Sequence, residues 1–115
     1  MKLAIGNDHA AVELKFEIME HLKERGIEVV NVGTDTHDRF NYPVAGYKVA
    51  KMVAAGEVDG GVLICGTGVG ISLSANKVKG IRCALLHDHM SARLTRQHNN
   101  ANMIAMGAAV FMAKL

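Results

Sequence analysis

Tryptophan is absent, proline occurs once, and three phenylalanines with two tyrosines supply every aromatic ring in the 115 residues. The formal charge is only +2, without a long run of lysine or arginine. Together these shortages argue against a nucleic-acid surface, which needs a basic footprint. No apolar stretch approaches the roughly 18–20 residues that cross a bilayer. The chain also passes from Met1 and Lys2 straight into LAIG, without the apolar core and small-residue cleavage site of a secretory signal. A soluble, cytoplasmic protein with neither nucleic-acid nor membrane partners is expected. Cysteine is scarce as well. Cys65 and Cys83 lie in apolar, strand-like segments and no CxxC pair occurs, which fits reduced thiols better than a disulfide framework or a zinc site.

What is present is an alternation. Short apolar runs (KLAIG, IEVVNV, GVLIC, RCALL, NMIAM) are separated by segments with helical spacing, such as Ala11, Leu14, Ile18 and Leu22 before Gly26, or Ala45, Val49, Met52 and Val53 after Pro43. Five strands and four helices in that order predict an α/β fold, a three-layer α/β/α Rossmann-like sandwich with a five-stranded parallel sheet. The length suits one domain whose cleft borrows walls from a second copy. After Met106 only GAAVFMAKL follows, too short for a full closing helix, so the last strand is expected to be partly uncovered.

In an open parallel sheet, ligands bind beyond the carboxyl ends of the strands. That rule selects Asn7, Asp8 and His9 after the first strand, Thr34 after the second, Cys65 and the Gly66–Gly70 loop after the third, and His87, Asp88 and His89 after the fourth. The loop GTGVG has neither the dinucleotide spacing nor the lysine of a P-loop. It reads either as a plain tight turn or as an anion cradle whose backbone N–H groups and helix terminus stabilise a phosphate or a developing oxyanion. Cys65 at its mouth is either a small buried hydrophobe or a base or nucleophile. Cys83 is read as structural. Asp8 and Asp88 suit helix N-caps, HDH is a poor geometry for one metal ion, and His98 stands near a helix C-terminus.

Taken in order, IGNDHA, NYP, ICGTGVGISLSANK, GIRCAL and RQHNNAN resemble the type B ribose-5-phosphate isomerases and their galactose-6-phosphate isomerase relatives, over about residues 2–108. The resemblance implies a five-stranded parallel sheet, a homodimer with two shared active sites, and neither metal nor organic cofactor. It assigns Cys65 as the base that moves a proton between C1 and C2 of an open-chain sugar. In another branch of the family a glutamate just past the loop is the base, and Ile71 stands at that place here. Thr67 is implied to assist proton movement between sugar oxygens and His98 to open the sugar ring. Asp8 and Asn99 are implied to contact substrate hydroxyls, Tyr42 to wall the pocket and His9 to contact phosphate, with His98 and Asn99 entering from the partner subunit. The backbone of Gly66, Gly68 and Gly70 fits the need for N–H donors at an enediolate oxygen.

Three departures bear on the substrate. Ala109 stands where the family has a phosphate-binding arginine, Asn41 replaces the aspartate before Tyr42, and the family's two arginines in a C-terminal helical segment lie beyond Leu115. The expectation is therefore one sugar-phosphate isomerase domain over residues 1–115, lacking that segment. It interconverts ribose 5-phosphate and ribulose 5-phosphate through a cis-enediolate. The alternatives are an isomerase of another aldose (allose or galactose 6-phosphate, or a free sugar) and a non-catalytic sugar-phosphate-binding module.

Overall fold

The computed structural model of the chain describes residues 1–113. Strands β1 (Lys2–Asn7), β2 (Glu28–Asn31), β3 (Gly60–Cys65), β4 (Cys83–Leu85) and β5 (Met103–Gly107) form one sheet in the order β2-β1-β3-β5-β4. Every neighbouring pair is parallel. The helices are α1 (Val12–Glu24), α2 (Tyr42–Ala54), α3 (Val69–Asn76), α4 (His89–Asn99) and α5 (Ala108–Ala113). This is the α/β sandwich with a five-stranded parallel sheet that the alternation predicts.

Local chemistry sets the boundaries. The Asp8 side chain accepts the Ala10 N–H at 3.0 Å and caps a single 3-10 turn, His9–Ala11, that leads into α1. Gly26, with φ +78°, ends that helix in the left-handed conformation open to glycine. Pro43 lies in the first turn of α2, where its missing N–H costs nothing. Asp88 caps α4 by accepting the Ser91 N–H at 2.7 Å. All six residues of β3 are buried, as befits a central strand covered on both faces. Ala4, Leu63, Cys65, Met103 and Ala105 point towards α2 and α3. Ile5, Val62 and Ile64 point the other way, towards Ala11 and Met19 of the α1 segment.

The strand last in sequence, β5, lies between β3 and β4. Residues after it form α5, and the cover of β5 is incomplete on one face, where Ile104 and Met106 are only half-buried. One expectation changes: the buried stripe of α1 is rotated. Val12, Lys15 and Met19 are buried while Leu14 and Ile18 are half-buried. Lys15 is fully buried. Its Nζ donates to the Thr34 carbonyl at 2.6 Å and pairs with the Asp35 carboxylate. A buried ammonium is tolerated only with such partners. The Lys15 hydrogen bond, followed by that from Asn31, holds the Asp35 carboxyl below its ordinary range.

Cys83, half-buried on β4, has its thiol pushed up from 9.0 to about 12 by burial. The folded chain therefore holds this proton more tightly than the unfolded chain. Its contribution to stability is complete below pH 9 and is lost as pH rises from there towards 12. At pH 9 iodoacetamide is expected to leave Cys83 unlabelled in the native protein and to label it in urea, as mass spectrometry of the digested protein will read. Native labelling at the unfolded rate would refute the assignment.

Candidate active site

The chain leaves β1 towards β2 on one side and returns to place β3 on the other, so the crevice between the carboxyl ends of β1 and β3 is the topological switch point. The register pairs Asn7 with Ile64, and the Asp8 N–H donates to the Ile64 carbonyl at 3.2 Å. Asp8 and Cys65 thus leave adjacent strands side by side.

Cys65 is 5% exposed and its side chain lies on the α2/α3 face of the sheet. The Gly68 N–H donates to its Sγ at 3.2 Å. Gly68 precedes α3 with φ +80°, a conformation that strains any other residue. A Cβ on Gly68 would also come within 2.7 Å of the Met106 carbonyl carbon. Thr67 is exposed, and its Oγ1 accepts the Val69 N–H at 3.3 Å. The tip of the loop therefore presents a hydroxyl above a buried sulfur, at the positive end of α3. Ile71 is fully buried in the core beneath, beside Cys65.

Tyr42 opens α2 and lies against Gly70 so closely that a Cβ there would be 2.7 Å from the ring. It therefore stands at the α2 side of the Gly66–Gly70 loop. His9 follows Asp8 at the end of β1. Its Nδ1 accepts the Phe40 N–H at 3.0 Å, pinning the end of the segment between β2 and α2. The start of that segment is held from below. The Thr34 carbonyl accepts from Lys15 Nζ and from Asn7 Nδ2, the latter at 3.0 Å, and Asn7 Nδ2 also donates to the Asp8 carbonyl at 2.9 Å. Asn7 is completely buried. Asp8, His9, Tyr42, Cys65, Thr67 and the three loop glycines are thus brought to one edge of the sheet by a connected framework.

His98 and Asn99 are not. They are exposed at the end of α4, and the Asn99 carbonyl accepts from Arg82 Nε at 2.6 Å, beside the start of β4. That is the amino edge of the sheet, opposite the carboxyl edge at which Cys65 ends β3. None of the residues of α4 is buried. At the same edge a cavity of about 500 Å³ opens, lined by Met1, Leu3, Asp59, Arg82, Arg96 and Ile104 among others. Arg96 donates there to Asn100 and to the Ala101 carbonyl, so it does not face the crevice. His87 is likewise engaged, accepting the Gly107 N–H on Nε2 at 2.8 Å. Among the described residues no group of His, Cys, Asp and Glu is placed to hold a metal ion, and no helix is long and apolar enough to cross a membrane.

Lys15 is the participant the sequence conceals, since the apolar stripe steers the eye to Leu14 and Ile18. A lysine at a stripe position is the one signal it carries. Gly107 also escapes notice, because its role is a contact between loops that no spacing encodes.

Comparison with known proteins points the same way. Residues 3–115 match the Ribose/Galactose Isomerase family. Ribose-5-phosphate isomerase B of Escherichia coli is 53% identical over 109 residues, covering 95% of this chain and 73% of that protein. The galactose-6-phosphate isomerase subunit LacB of Clostridium acetobutylicum is 49% identical over 110 residues, 96% of this chain and 64% of the subunit. The solved structure of Clostridium thermocellum ribose-5-phosphate isomerase B superposes with a TM-score of 0.94 at 50% identity, over 96% of this chain and 74% of that one. A parallel sheet with a cysteine and a glycine loop at its switch point, at this level of identity, leaves one conclusion: the chain belongs to the ribose/galactose isomerase family and is an aldose–ketose isomerase.

Proposed function

We propose that the protein interconverts ribose 5-phosphate and ribulose 5-phosphate, with Cys65 as the base. The observation that carries this reading is the placement of Cys65 Sγ under the Gly68 N–H, at the mouth of a loop lined with backbone donors. At the alternative position of the base stands the buried, aliphatic Ile71. In the aldose direction the Cys65 thiolate takes the proton from C2. The C2–H electrons form the C1–C2 double bond, and the C1 carbonyl oxygen becomes the enediolate oxygen. Backbone N–H groups of the Gly66–Gly70 loop stabilise that charge. The Thr67 hydroxyl passes a proton from O2 to O1, and Cys65 returns its proton to C1, leaving a C2 ketone. Atoms and charge balance without a cofactor. Asp8 holds sugar hydroxyls, Tyr42 walls the pocket and His9 takes the phosphate, its Nδ1 being committed to Phe40. Two free thiols suit a cytoplasmic enzyme.

His98 and Asn99 complete the site from a second copy, which is why one chain leaves them at the opposite edge. His98 opens the ring and Asn99 holds a hydroxyl. In this reading residues 1–115 are a single isomerase domain acting as a homodimer with shared sites.

Ala109 favours a second reading, an isomerase of another aldose, allose or galactose 6-phosphate or a free sugar. It is exposed on the first turn of α5 and its N–H donates to the Gly66 carbonyl at 3.0 Å. The place where relatives of this kind present an arginine to phosphate is therefore beside the loop and carries only a methyl group.

The test is deuterium incorporation at C1 or C2 in heavy water, followed by NMR, with ribose, galactose and allose 6- or 5-phosphates and the free sugars. The ribose 5-phosphate pair is expected to exchange fastest, and faster exchange by another sugar would replace it as substrate. Cys65→Ala is expected to lower exchange by about 10²–10⁴-fold with the circular dichroism unchanged. Exchange retained in that variant would move the base elsewhere.

Sharing of the site has its own test. Cys65→Ala and His98→Ala homodimers are each expected to be inactive, whereas co-refolding the two is expected to restore activity, because each hybrid dimer has one intact site. Light scattering is expected to give twice the 12.3 kDa chain mass. A monomer, or no recovery on mixing, would refute shared sites.

A further inference from the structure

The ladder between β4 and β5 ends early. Its last paired residues are Leu85 and Ala105, and the Leu86 N–H donates to the Ala105 carbonyl at 2.9 Å. The next N–H of β5 on that side belongs to Gly107, and the acceptor it meets is not a strand carbonyl but the Nε2 of His87 at 2.8 Å. The same imidazole rests against Phe111 of α5, with ring centroids 5.3 Å apart. Gly107 in turn is the floor of the catalytic loop. A Cβ on it would come within 2.5–2.7 Å of the backbone of Thr67, and two residues later the Ala109 N–H donates to the Gly66 carbonyl.

We propose that His87 is a positioning residue for the isomerisation. By accepting the Gly107 N–H it fixes the end of β5, and through the Gly107–Thr67 contact it sets the height and tilt of the loop whose N–H groups and hydroxyl face the substrate. The inference rests on the reading that this loop serves the enediolate. Backbone contacts this close transmit displacement rather than absorb it. Losing the acceptor leaves a half-buried N–H to find another partner, and the strand end shifts to do so. A misplacement of about 1 Å at donors aimed at a developing charge lowers turnover strongly while leaving ground-state binding largely intact.

His87→Phe keeps a ring against Phe111 and removes the acceptor, while His87→Gln restores an acceptor. His87→Phe is expected to lower kcat by about 10- to 100-fold with KM little changed, and to move the amide NMR signals of Gly66 and Gly68. His87→Gln is expected to recover most of both. Gly107→Ala, which pushes on Thr67 directly, is expected to reproduce the kcat loss with His87 intact, so the proposal stays testable should His87→Phe fail to fold. Cys65→Ala is measured alongside. If it abolishes exchange while His87→Phe or Gly107→Ala leaves kcat unchanged, the positioning role is overturned and the isomerase reading stands. If Cys65→Ala itself changes nothing, the failure belongs to the assignment of the base.

Discussion

Backbone packed on backbone, Thr67 over Gly107, is the contact on which the rest of the site depends. It exists because β3 and β5 are parallel neighbours in a register that brings Cys65 opposite Gly107. Two strands ending level send their following residues into the same space, and they fit only if one side has no Cβ. The turn after Cys65 is then supported from beneath along its length, by Ala109 at Gly66, by Gly107 at Thr67 and by Met106 at Gly68. A loop of small residues is intrinsically mobile, and N–H groups stabilise charge effectively only when they need not reorganise. Here the rigidity comes from the sheet below.

The same division of labour holds on the other side of the crevice. The segment between β2 and α2 is long and mostly exposed, the type of connection that carries function and ordinarily moves. It is held at its start by a buried lysine and a buried asparagine converging on one carbonyl, and at its end by His9. Hydrogen bonds to a charged donor contribute about 1.5–3 kcal/mol against about 1 for neutral pairs. The Lys15 contact is therefore the stronger tie, and its charge is partnered by Asp35 at the surface. Desolvating an ammonium is costly, and what it secures is the start of that segment at Thr34 and Asp35.

Much of this was legible in the sequence, for a physical reason. Strands covered on both faces must be apolar throughout, so GVLIC and its neighbours announce themselves, and the polar residues that follow each one mark the carboxyl edge. Boundaries fell within a residue or two, and Asp8 and Asp88 cap the helices that follow them. What stayed hidden is what depends on strand order. Nothing in the local pattern says that β5 inserts between β3 and β4, and without that insertion neither the Gly107–Thr67 contact nor the His87 hydrogen bond can be foreseen. HDH offered a histidine with no visible task, while its partner lay 20 residues away. Lys15 stayed hidden because burial of a lysine is decided by a carbonyl 19 residues away, not by helical periodicity.

The position of α4 follows from the same economy. Its eleven residues include none that is buried, and it spans from the carboxyl edge at His89 to the amino edge at Asn99. A helix so poorly covered gains little from its own sheet, and isolated helices of this length are marginal in water. Its caps, Asp88 at one end and left-handed Asn100 at the other, hold it in shape without packing it down. On the proposed reading, that weak attachment is what a shared site demands. Residues destined for a partner's crevice have to stand clear of their own core, and the face that would otherwise bury them is left for the second copy. On the same reading, two chains each build half of a site on their own rigid sheet edge and close it with a helix that buries no residue in its own core.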